Sequence, residues 1–259
     1  MFPVLLPYTL ISLPPNCWVM WLMISSPVFW TDRMEAFEFH LVITELLIGF
    51  LELPTLSMSF HSDAEMIESI LIKFINVIFT TRILFQSSIC IERYLAVVHP
   101  VLYLRYKPLR YRMTFSCVIW LDTIVTAIYQ MLLCDSDPRL VALQIITFAT
   151  VLIINAFCCI SVLRALKQPS PGEGERGVSN EVKKRAFSIV LSILVTTFFM
   201  YVPLVTMLLL VGKIDLDVLC LAQPLAFCLM IWLGAIYPLL YLHRARKHLT
   251  RDDVCVNCF

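Results

Sequence analysis

The chain has 259 residues, 59% of them hydrophobic and 15% charged, with a net charge of +1 at pH 7 and a mean hydropathy of +0.83. Soluble domains run at about 45–50% apolar and about 25% charged, so a water-soluble fold has nowhere to hide this much apolar surface. A pI of about 7.5 leaves no basic field for a nucleic-acid partner.

A helix needs about 20 apolar residues to cross a hydrocarbon core of about 30 Å. Seven stretches reach that length, over residues 3–24, 36–58, 66–98, 113–134, 140–166, 186–211 and 216–242. They must be helices, because an open strand leaves its backbone groups unsatisfied in lipid. The first stretch lacks a basic flank and reads as an uncleaved anchor, not as a signal peptide. The joints are short and carry turn formers and charge, as in Ser25-Ser26-Pro27 and Asp135-Ser136-Asp137-Pro138. Residues 168–180, rich in Pro, Gly and Glu, form the one longer linker. The fold class is therefore an all-α membrane protein, a seven-helix bundle over residues 1–242 with a short amphipathic helix and tail over 243–259. No internal repeat is visible, which counts against an inverted-repeat transporter.

Lys and Arg orient the bundle. Arg105, Lys107, Arg110 and Arg112 lie between spans three and four, and Lys183, Lys184 and Arg185 precede span six. Arg244, Arg246 and Lys247 follow span seven, whereas the opposite loops carry mainly Asp63, Glu65, Asp135, Asp137, Asp215 and Asp217. The positive-inside rule then places the C-terminus in the cytoplasm and, with an odd span count, the N-terminus outside. Cys17, Cys90, Cys117, Cys158, Cys159 and Cys228 fall inside apolar runs and read as small buried residues. His40, His61 and His99 show no metal-ligand spacing, and no nucleophile–base pair or phosphate loop occurs, so neither a metal, a cofactor nor an enzyme is expected.

At the inner end of span three stands Ile91-Glu92-Arg93-Tyr94-Leu95-Ala96-Val97-Val98-His99-Pro100. Trp120 lies inside span four, Asn16-Cys17-Trp18-Val19 inside span one, Pro203 inside span six and Pro238-Leu239-Leu240-Tyr241 inside span seven. In that order the segments resemble a divergent rhodopsin-like G-protein-coupled receptor, and the resemblance covers nearly the whole chain. It implies a cell-membrane receptor in which an extracellular ligand shifts the bundle's population. Span six would pivot at its proline and open a cytoplasmic cavity for a heterotrimeric G protein. Glu92, Arg93, Tyr94 and Pro100 would serve coupling, and Tyr201, Pro203, Tyr237, Pro238 and Tyr241 the conformational switch. Taken singly, Arg93 could equally snorkel to headgroups and Pro203 be a plain kink.

The departures from the family pattern bear on mechanism. Glu45 stands in mid-span two where the family has Asp, and Arg82, eleven residues before Arg93, replaces a small polar residue of its sodium pocket. A lone charge at mid-membrane costs about 2.5–3.5 kcal/mol on insertion scales, so Glu45 and Arg82 are expected to form an intramembrane ion pair. Tyr237 precedes Pro238 where Asn or Asp is usual, Tyr201 replaces a tryptophan, Cys159 a tyrosine, and Lys183 an acid that clamps the arginine. Glu68 replaces the loop-disulfide cysteine, so Cys134 has no standard partner; it pairs with Cys220 or stays free.

Without a lysine in span seven there is no retinal attachment point, and Ile75 replaces the aspartate of amine receptors. Projection onto the family bundle lines the ligand site with Glu52, Ile75, Asn76, Phe79, Leu204, Leu208 and Phe227. Mostly apolar walls fit a small, lipid-like ligand, although each residue could equally be bundle core. Lys73 snorkels or meets an acidic ligand. Residues 243–249 read as a basic helix on the inner leaflet, a membrane-lipid contact, with Cys255 and Cys258 either palmitoylated or free. Two other readings remain open: a scaffold or degenerate receptor that no longer signals, and a small-solute or proton transporter using Glu45 and Arg82.

Overall fold

The structure, a computed structural model, describes residues 2–25, 36–58, 65–132, 138–167 and 187–199, with residues 202 and 206. The described elements are helices: α1 (Phe2–Ser25), α2 (Ala36–Met58), α3 (Glu65–Val98), α4 (Pro100–Tyr106), α5 (Leu109–Leu132) and α6 (Pro138–Lys167), then α7 (Phe187–Phe199). Among the described residues, three helices are long and apolar enough to cross a membrane, over Met66–Val98, Leu109–Leu132 and Ala142–Ala165. The stretch 216–242 and the basic tail lie outside the described residues.

α3 is the central element. It packs against α2, α5 and α6, and α1 covers the far side of α2. Phe85, Ile89 and Cys90 of α3 meet Leu41 of α2, Cys158 and Cys159 of α6, and Ile189, Val190 and Ile193 of α7 in one apolar cluster. Several interior threonine hydroxyls are satisfied within their own helices, which suits a lipid surround, whereas the buried hydroxyls of Ser87 and Ser116 meet no partner among the described residues. Thr81 Oγ1 donates to Val77 O at 3.0 Å and Thr123 Oγ1 to Ile119 O at 2.8 Å. The two hydroxyls also meet each other at 2.7 Å, a polar link between α3 and α5 of the kind that holds membrane helices together.

Prolines set the boundaries where α3, α4 and α5 meet. Pro100 has no N–H and disfavours helical backbone at the residue before it. α3 accordingly stops at Val98, and His99 takes φ −129° and ψ 66°. Pro100 then starts α4 at a position where its missing donor costs nothing. This loop helix was not foreseen. Span four also begins about a turn earlier than the 113–134 predicted, at Leu109 directly after Pro108. Hydropathy cut the span short because Arg110 and Arg112 belong to the helix itself. A further correction concerns the cysteines. Cys90, Cys158 and Cys159 are buried as expected, but Cys17 and Cys117 are exposed.

α1 packs closely on α2 at Gly49, where an added Cβ would lie 2.5 Å from Leu13 Cδ2 and 2.8 Å from Leu13 Cγ. Gly49→Ala should therefore destabilise the protein by about 1–3 kcal/mol through overpacking. Adding Leu13→Ala should recover most of that loss in a detergent melting curve. No recovery in the double variant would mean that Leu13 is not the obstacle.

Candidate functional site

α2 carries Glu38, Glu45 and Glu52 at seven-residue intervals, with relative exposures of only 2%, 2% and 5%. Seven residues make almost two full turns, so the three carboxyls share one face. α3 presents Arg82 and Arg93 eleven residues apart, about three turns, again on one face. The two faces meet. Arg82 Nε lies 2.7 Å from Glu45 Oε1, with both side chains sealed from solvent. Nearer the Pro100 end of α3, Arg93 Nη2 donates to Glu38 Oε1 at 2.9 Å. Glu52 is the outermost of the three, and no described residue forms an ion pair with it.

Glu92 does not hold its neighbour Arg93. Its carboxylate instead pairs with Arg112 of α5, which also donates to the Tyr103 hydroxyl of α4 at 3.1 Å. α3, α4 and α5 are thereby fastened together around a cavity of about 190 Å³, walled by Phe37, Tyr103, Tyr111 and Phe115. The Tyr94 hydroxyl lies 3.1 Å from His99 Nε2, and the Tyr94 ring meets Phe157 of α6 edge-on. Pro100 is the first residue of α4. The segment 92–99 is thus tied to α2, α5 and α6, and runs on through His99 into α4.

Trp120 Nε1 donates to His40 Nδ1 at 3.3 Å, and His40 stacks on Phe85 with ring centroids 5.2 Å apart. Asn16 is buried. On the opposite side from Arg93, Ile75 is buried, Phe79 packs on Ile48 and Ile78, and Asn76 is exposed. Tyr201, Pro203, Leu204, Leu208, Phe227, Tyr237, Pro238, Tyr241, Cys255 and Cys258 lie outside the described residues, as do Lys183, Cys134 and Cys220.

Sequence reasoning missed Glu38, His40 and Arg112. The repeat of glutamate every seven residues on span two was the available signal for Glu38. Arg112 had been counted only as a loop cation.

A cation near the end of α3, gripped from α2, suggests a particular family, and comparison bears it out. The profile of the 7 transmembrane receptor (rhodopsin family) matches residues 15–241. The chain belongs to the rhodopsin family of seven-transmembrane receptors. A comparison with curated proteins finds no match. The receptor is therefore a membrane protein of a signalling family whose members generally act through G proteins and not as enzymes. Two ion pairs mark its charged interior: Glu38–Arg93 near the Pro100 end of α3, and Glu45–Arg82 deeper in the bundle.

Proposed function

We propose that this receptor converts binding of a small, non-aminergic, lipid-like extracellular ligand into activation of a heterotrimeric G protein. The bundle comprises seven spans over residues 1–242, with the N-terminus outside the plasma membrane. Residues 243–259 form the cytoplasmic amphipathic helix and tail, with Cys255 and Cys258 as palmitoylation sites. The observation that carries the reading is Arg93, three-quarters withdrawn from solvent at the inner end of α3 and held by Glu38. In the resting form that ion pair keeps the guanidinium against α2. Ligand seated among Glu52, Ile75, Asn76, Phe79, Leu204, Leu208 and Phe227 favours a second arrangement of the bundle. Span six pivots at Pro203 beside Tyr201, the Tyr237-Pro238 and Tyr241 region of span seven adjusts, and Arg93 becomes one wall of the G-protein cavity. Glu92, Tyr94 and Pro100 position that wall, since each is tied to a neighbouring element. A ligand moves the equilibrium only by its difference in affinity for the two states.

The test is guanine-nucleotide exchange on purified G proteins by the reconstituted receptor, with a lipid-ligand panel and with Arg93→Ala as control. Exchange above background that disappears with Arg93→Ala is expected. Solute flux that survives Arg93→Ala but stops with Glu45→Gln would replace the receptor reading with a transport one.

A further inference from the structure

Asp122 lies near the middle of α5, thirteen residues from Leu109 and ten from Leu132, about 20 Å and 15 Å along the axis. It is exposed on the outside of the bundle, and no described residue forms a hydrogen bond or ion pair with it. Acidic residues inside membrane spans almost always face the bundle interior or a partner group, because lipid offers a carboxylate nothing. The surrounding face makes the placement more specific. Phe115, Val118, Asp122, Val125 and Tyr129 follow one another at steps of three, four, three and four residues. That is the spacing of a seam between two helices crossing at a shallow angle. The apolar members are exposed, Val118 at 55% and Val125 at 64%.

The chain itself has no cation to offer this seam. Within the seven apolar stretches, Arg82 is the one Lys or Arg at mid-depth, and it is sealed inside against Glu45. A second copy meeting the first across a two-fold axis would set carboxylate against carboxylate. Charge complementarity calls for a different occupant. We infer that the Phe115–Tyr129 face of α5 docks a single-span membrane partner whose helix carries a Lys or Arg at mid-membrane, opposite Asp122. The partner's cation and Asp122 remove each other from lipid, and the apolar seam residues set the crossing and register. The Asp122 contact operates whether or not the receptor couples.

The test co-reconstitutes the full-length receptor in phosphatidylcholine vesicles with a fluorescent leucine-based single-span helix bearing one central Arg. The control helix carries Leu at that position. Energy transfer should show the Arg helix binding about tenfold tighter than the Leu helix. Asp122→Leu should bring the two helices level, and Asp122→Asn, which keeps the shape, should give an intermediate value. A cysteine introduced at Val125 should cross-link to the Arg helix, and one at Ile153 on the outer face of α6 should not. Equal binding of both helices by the wild-type receptor overturns the inference, as does full Arg-helix binding by Asp122→Leu. Self-association of the receptor that depends on Asp122 in the absence of any probe helix would assign the face to a second copy instead.

Discussion

Replacing Arg82 by alanine is expected to remove most of the receptor from the cell surface, and replacing Glu45 by glutamine to do nearly the same. Both side chains are withdrawn from solvent and meet at 2.7 Å. Deleting one takes from the other the charge it pairs with, and breaking a buried pair costs about 3–5 kcal/mol. Against a total folding stability of about 5–15 kcal/mol, that is enough to bring most of the protein below the quality-control threshold. The informative variant is the double one. Glu45→Leu with Arg82→Leu removes both charges at once, and an apolar pair of similar size is often neutral or stabilising at such a position. Surface expression and detergent melting temperature should therefore recover in the double variant well beyond either single. Single variants that traffic and melt like wild type would show that the pair carries no energetic weight. A double variant as poor as the singles would point to a role in bundle geometry beyond charge compensation.

That pair was legible before any coordinates, and the reason is physical. Lipid makes mid-span charges so costly that two at matching depth nearly demand each other. Length and hydropathy marked the three described spans, Met66–Val98, Leu109–Leu132 and Ala142–Ala165, for the same reason. What stayed hidden lay where that rule loosens. In lipid an apolar side chain is at home facing either way, so hydropathy says little about which face of a helix is buried. Cys17 and Cys117 were read as interior on polarity alone and are exposed. Near the ends of a span, water and headgroups make charge tolerable. Arg112 there passed for an ordinary orienting cation, although its side chain is withdrawn from solvent against Glu92. Glu38 was overlooked because a glutamate in the first turn of a span reads as a helix-end charge. Helix periodicity was the missing tool. Counting seven from Glu45 in both directions would have placed Glu38 and Glu52 on its face. α4 was invisible for another reason: seven residues between two prolines carry no amphipathic repeat long enough to detect.

Glu38→Gln is expected to raise ligand-independent G-protein activation about fivefold or more while leaving surface expression close to wild type. The pair it breaks links α2 to α3 at 2.9 Å, with Arg93 about a quarter exposed and Glu38 almost wholly buried. Neutralising the buried member leaves no stranded charge, since Arg93 can turn toward water and headgroups along its own stem. The folding cost is therefore small, whereas the resting state loses its grip on the guanidinium. A loss of about 1 kcal/mol from the resting state alone multiplies the active-to-resting ratio about fivefold. The complementary variant behaves differently. Arg93→Ala takes from buried Glu38 the guanidinium it pairs with, so it should lower the melting temperature as well as silence exchange. Adding Glu38→Gln to it should restore stability without restoring signal. Arg112→Ala frees Glu92, which adjoins Arg93 in sequence, to take over as its restraint, and basal activity should fall or stay level. If Glu38→Gln reaches the surface and its basal exchange matches wild type, Glu38 does not hold the receptor at rest. If Arg112→Ala instead activates, the restraint runs through the α3–α4–α5 fastening around Tyr103, and the resting contact must be sought there.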